Sequence, residues 1–144
     1  MTVFPIGTAP LDPTSVEQAV QDPALPARCT FSGVVRDSSH GHPSTHLVYE
    51  AYAAMAAKEL ASLGVEATRC WPEARVALAH RIGRLEIGEV SVVVAVAAGS
   101  SSAALDASRW VMDELKVRVP IWKKEFRPDG AFWIEGPGEH LSGE

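Results

Sequence analysis

The run from Val90 to Ala98 is apolar on both faces, with Ser91 its one polar residue. A strand covered from two sides reads this way, which predicts a central strand. Three other segments alternate with the period of two that marks a half-buried strand. From Ala27 to Val35, residues Cys29, Phe31, Gly33 and Val35 share a face, and Arg36 sits where the strand ends. From His46 to Tyr52, Leu47, Tyr49 and Ala51 oppose Val48, Glu50 and Tyr52. In the third, Val76, Leu78, His80 and Ile82 share a face, with Arg75, Arg81 and Arg84 outside it. His80 on such a face reads as a satisfied core histidine.

Helical spacing appears twice. Ala56, Leu60, Leu63, Ala67 and Cys70 recur at steps of three and four and form one stripe, closed by Trp71-Pro72, with Cys70 as core filler. Leu105, Ser108, Met112, Leu115 and Val119 form the second stripe, opened by Gly99-Ser100-Ser101-Ser102 and stopped at Pro120, which lacks an amide hydrogen. Smaller elements complete the chain. Val3 to Ile6 reads as an edge strand, and Asp12-Pro13 as the start of a short helix with Thr14 and Glu17 as a capping box. A hairpin joins Ile121–Phe126 to Ala131–Ile134 through Arg127-Pro128-Asp129-Gly130. The polar segment 37–44 reads as a mobile flap, and 136–144 as a frayed tail. With neither repeat nor linker, residues 1–135 read as one α+β domain.

Composition narrows the classes. The chain has 144 residues, 47% of them apolar, enough for one core without staples. Cys29 and Cys70 show no metal or disulfide spacing, which suggests a reducing, cytoplasmic setting. No apolar run is long enough to span a bilayer, so no membrane partner is expected. A net charge of -5 argues against nucleic acid as a partner. His40 and His42 have no third ligand at a suitable spacing, so no metal is expected.

Within this acidic chain, residues 115–125 gather Lys116, Arg118, Lys123 and Lys124. Lys116 lies on the last turn of the second helix and Lys123 on the strand after Pro120, so both can converge on one pocket. The alternative is a solvated face, with Lys116 and Arg118 complementing the helix dipole. No nucleophile elbow, phosphate loop or dinucleotide fingerprint is present. What remains is Arg36 with Lys116 and Lys123, suited to phosphate or carboxylate. Ser100 and Ser101 offer a second anion site at the helix start, but roughly 25 Å away at 1.5 Å per residue.

Four motifs carry a resemblance: Phe-Ser-Gly-Val-Val-Arg at 31–36, Tyr-Glu-Ala-Tyr-Ala-Ala-Met at 49–55, His-Arg-Ile-Gly-Arg-Leu at 80–85 and Val-Pro-Ile-Trp-Lys-Lys-Glu at 119–125. The chain resembles the large, catalytic subunit of molybdopterin synthase from about residue 27 to residue 135. The resemblance implies an α/β-hammerhead-like fold, a mixed and largely antiparallel sheet packed with two main helices. It implies a homodimer within a heterotetramer, each large subunit binding a small ubiquitin-like sulfur carrier of the MoaD type that ends in Gly-Gly. It also implies sulfur transfer from the carrier's thiocarboxylate to cyclic pyranopterin monophosphate, forming the dithiolene of molybdopterin, with no cofactor in the large subunit. By position, Lys116 corresponds to the lysine beside the carrier tail and Lys123 to the one that contacts substrate and assists proton transfer. Val34, Val35 and Arg36 correspond to the substrate-binding strand end, and Lys124 and Glu125 complete the motif. Ser100 and Ser101 stand where the family usually has a His-Arg pair for the substrate's anion. The alternative is a member that binds the carrier as an assembly or regulatory protein with impaired catalysis.

Overall fold

The computed structural model describes residues 1–39 and 41–135, so the expectations for His40 and for 136–144 lie outside the described residues. The apolar run becomes β8 (Val90–Ala98), flanked antiparallel by β2 (Ala27–Val34) and β6 (Arg75–His80). Strand β1 (Thr2–Val3) adds in parallel to the outer edge of β6, giving the order β1-β6-β8-β2. Val92, Val94, Val96 and Ala98 pack with Val76 and Leu78 under the two long helices, α2 (Ala53–Cys70) and α3 (Ser101–Arg118). The opposite face, Val93, Ala95 and Ala97 with Ala77 and Ala79, is closed by Val16 and Val20 in and beside α1 (Pro13–Gln18). Both faces of β8 are therefore dry, as its sequence demands.

A second sheet has the order β10-β9-β5-β7, with β5 (His46–Ala51) and β9 (Ile121–Arg127) in the middle and β7 (Gly83–Glu86) and β10 (Gly130–Glu135) outside. All its pairings are antiparallel. The α+β class holds, with the strands divided between two four-stranded sheets. The third alternating segment is split accordingly: β6 ends at His80, and Gly83, at φ 86°, begins the strand that joins the other sheet. Helix α3 is capped at its start by Ser100, whose hydroxyl accepts from the Ala103 amide at 3.1 Å, and Val119 and Pro120 end it.

Several local expectations are corrected. Asp12, rather than Thr14, caps α1, its carboxylate accepting from the Thr14 amide at 3.0 Å, because Pro13 takes the first helical position. The N-terminal strand is Thr2–Val3 rather than Val3–Ile6: Thr2 and Val3 pair with Ala77 and Leu78, and after Phe4, whose amide donates to the Leu78 carbonyl at 2.9 Å, Pro5 has no amide to continue the ladder. Cys70, the last residue of α2, is exposed rather than core filler. Leu105 is 60% exposed, so the buried face of α3 runs instead through Ala104, Ala107, Ser108 and Val111 to Met112 and Leu115. Segment 37–44 contains a two-residue ladder, β3 (Ser38–Ser39) with β4 (His42–Pro43), and is closed by a Ser44 amide to Asp37 carbonyl bond of 2.9 Å.

Candidate active site: a two-lysine groove

The ends of the two sheets and the last turns of α3 enclose a groove. Antiparallel pairing sets Tyr49 opposite Lys123, Leu47 opposite Glu125 and Ala51 opposite Ile121, so alternate residues of β5 and β9 point the same way. One cavity, about 190 Å³, has largely apolar walls that include Met112, Leu115 and Val119, and both Lys116 and Lys123 line it. A second, about 320 Å³, is lined by Val34, Val35, Arg36, Lys123 and Glu125 among others. The two share Phe31, Gly33, Tyr49 and Lys123. Lys123 thus stands at the junction, with Lys116 on one side and Arg36 on the other.

Each cation is positioned by ordinary local structure. Leu115 is buried against the sheet while Lys116, the next residue, is exposed, so the helix anchors at one position and presents its lysine at the following one. Buried Pro120 ends α3 and begins the turn into β9, which brings Lys123 back beside Lys116. On the other side, Val35 is buried with Leu47 and Leu85, its amide donates to the Glu89 carbonyl at 2.9 Å, and its carbonyl accepts from Gly88 at 2.8 Å. That clamp fixes the chain at the residue before Arg36. Gly33 lets the wall approach closely, since a Cβ there would lie 2.6 Å from Cγ1 of Val92.

Glu125 lines the groove but is fully buried. Its carboxylate accepts from the Ser44 hydroxyl on one oxygen and from Arg127 Nε, at 2.6 Å, on the other. Pinning β9 to the start of β5, it works as a strut beside Lys123 rather than as a free ligand. Lys124, expected to bind substrate, lines neither of these two cavities. The alternation of β9 sends it to the opposite face, where its Nζ lies 5.3 Å from the Trp133 ring centroid and 5.7 Å from that of Phe126. Ser100 and Ser101 are not brought to the groove of their own chain, because they start the helix that Lys116 ends. Arg118, on the same turn as Lys116, is neutralised by Glu66 at 2.5 Å, Glu59 at 3.7 Å and Glu114 at 3.9 Å, and these contacts hold its pKa above the ordinary value.

Two groove residues escape the charge-based reading of the sequence. Tyr49 and His80 both line it, their rings meeting edge to face at 5.4 Å. His80 is 5% exposed, its Nδ1 lies 2.8 Å from the Arg81 carbonyl, and burial lowers its pKa to about 4. The expectation of a satisfied core histidine thus holds for one nitrogen. Read as one strand through Ile82, the sequence carries no sign that β6 ends at His80, which is what brings the ring to the rim of the groove. Among the described residues, no three His, Cys, Asp or Glu side chains converge as metal ligands, and no helix is long and apolar enough to cross a membrane.

Known proteins share both the sequence and this architecture. The molybdopterin synthase catalytic subunit of Halalkalibacterium halodurans is 45% identical over 131 residues, covering 91% of this chain and 84% of that protein. Its Bacillus subtilis counterpart is 40% identical over 134 residues, covering 93% and 85%. The crystal structure of molybdopterin synthase from Staphylococcus aureus superposes with a TM-score of 0.87 at 34% identity, over 91% of this chain and 96% of that one. The sequence model described as MoaE protein matches residues 6–118, and the chain belongs to that family.

Proposed function

We propose that this chain is the catalytic subunit of a molybdopterin synthase, which takes sulfur from the thiocarboxylated C-terminus of a small ubiquitin-like carrier and delivers it to cyclic pyranopterin monophosphate. The observation that carries this reading is the groove, in which Lys116, Lys123 and Arg36 line one continuous cleft in a chain 45% identical to such a subunit. Sulfur that arrives already activated on a partner removes the need for a nucleophile in the large subunit. Positioning and charge are what the groove has to supply.

The two cavities divide the work. The smaller, apolar-walled one takes the carrier's Gly-Gly tail, whose lack of side chains suits a narrow passage, and Lys116 faces the terminal thiocarboxylate. The larger takes the phosphate-bearing substrate, with Arg36 as its anion contact at the clamped strand end of Val34 and Val35. Lys123, between them, stabilises charge where sulfur meets carbon and carries the proton that the transfer moves. Glu125 holds β9 in place, while Lys124 stays outside the pocket. Ser100 and Ser101 serve the groove of a neighbouring subunit in a homodimer, since in their own chain they lie at the far end of α3. Two carriers on such a dimer make the heterotetramer, working in the cytoplasm.

The test mixes the purified chain with a thiocarboxylated carrier and cyclic pyranopterin monophosphate and assays the dithiolene product. Product formation that needs all three components supports the reading. Carrier binding with no product overturns it in favour of an assembly role.

A further inference from the structure

His80 offers an interaction that its packing does not use up. Its Nδ1 lies 2.8 Å from the Arg81 carbonyl, which can only accept, so Nδ1 carries the proton and donates. In the neutral ring Nε2 is then a bare acceptor. No hydrogen-bond partner for Nε2 is found among the described residues. Among the described residues no buried side-chain nitrogen or oxygen is left without a partner, so Nε2 reaches the solvent of the groove that His80 lines.

Apart from the Tyr49 hydroxyl, His80 is the one described side chain lining the smaller cavity with a nitrogen or oxygen able to accept. The cavity's walls include Met112, Leu115, Val92 and Ile121, and its charged members, Lys116 and Lys123, only donate. An extended peptide brings a backbone N–H with every residue, and an amide buried without an acceptor is costly. We infer that His80 is a positioning residue for the carrier tail, Nε2 accepting a hydrogen bond from a backbone N–H of the incoming glycines while Lys116 and Lys123 face the terminal anion. Burial keeps the ring unprotonated near neutral pH, so it presents a lone pair where an imidazolium would present a donor. The edge contact with Tyr49, whose strand pairs with those of Lys123 and Gly83, holds the ring plane.

This rests on the carrier-docking reading above, and the test separates the two. Calorimetry on the full chain compares a carrier ending in Gly-Gly, in its carboxylate form, with the same carrier lacking both glycines. Replacing the ring by one of similar shape without an acceptor, His80→Phe, weakens the intact carrier by roughly 3- to 10-fold, as expected for one hydrogen bond, and leaves the truncated carrier unchanged. His80→Gln, whose amide oxygen reaches the Nε2 position, recovers much of the loss. A His80→Phe effect equal on both carriers, or absent from both, overturns the role of His80 while leaving docking intact. If the wild-type chain binds both carriers alike, tail insertion fails and the role of His80 with it. Should His80→Phe not fold, the comparison of His80→Gln with His80→Asn decides. Asn keeps the donor to Arg81 but stops short of Nε2, so it must bind the intact carrier more weakly than Gln, and equal binding overturns the proposal.

Discussion

Arg127 Nε lies 2.6 Å from the carboxylate of Glu125, which is completely buried two residues earlier on the same strand. The Ser44 hydroxyl occupies the other oxygen, so the carboxylate ties the end of β9 to the segment that enters β5. Glu125→Ala removes one partner of a buried pair and leaves the other uncompensated, at a cost of about 3 kcal/mol. Glu125→Gln, which keeps the shape and the contact to Ser44, loses less. Urea unfolding measures both, and equal stability of all three proteins would show the strut to be idle.

His80 makes the fold acid-sensitive above the carboxylate range. Its pKa falls from 6.5 in the unfolded chain to about 4 when buried, so the unfolded state binds the proton more tightly. Stability is therefore complete above pH 6.5 and declines as pH falls toward 4, with about 2 kcal/mol lost by pH 5. Glu66 and Glu89, whose pKa values lie below 4.5, add to the loss only under more acidic conditions. Unfolding free energies of His80→Asn show no decline between pH 7 and 5 if the assignment holds, whatever the variant's absolute stability.

Arg36 lines the larger cavity and is proposed as its anion contact. Arg36→Ala raises KM for the phosphate-bearing substrate by about 10- to 100-fold, the scale of one charge-assisted hydrogen bond. The carrier's affinity stays unchanged under the proposed division, which assigns its tail to the other cavity. Steady-state kinetics with calorimetry separates the two effects.

Arg118 is the internal control for the cationic segment. Bound to Glu66, Glu59 and Glu114, it serves to join α3 to α2. Arg118→Ala costs about 1 kcal/mol at a partly exposed network of this kind and leaves turnover per folded subunit unchanged. Thermal melts beside product assays check both halves of that statement.

Much of this architecture was legible in the chain. The doubly apolar Val90–Ala98 run, the alternation around Leu47 and Leu78, and the stop at Pro120 each has a direct physical cause and each forms the expected element. Ends of elements were harder. Cys70 and Leu105 continue a helical stripe in sequence but are exposed, Cys70 as the last residue of α2 and Leu105 because the buried face of α3 passes through its neighbours Ala104 and Ala107, which spacing alone does not reveal. In the site, local charge left Lys116, Arg118, Lys123 and Lys124 equivalent. Strand alternation separates Lys124 from Lys123, and the glutamates of α2 separate Arg118 from Lys116, yet both distinctions need tertiary pairing. His80 carries no signal in composition at all, since its role depends on where β6 ends relative to the groove.

Lys123, at the junction of the two cavities, carries the central claim. The decisive measurement is single-turnover formation of the dithiolene by wild type and Lys123→Ala, using thiocarboxylated carrier and cyclic pyranopterin monophosphate at saturating concentrations. The groove account predicts a loss of about 100-fold or more in the variant, the scale of a positioned proton-transfer group, with melting temperature and carrier affinity unchanged. A Lys123→Ala protein that forms product at the wild-type rate would contradict it.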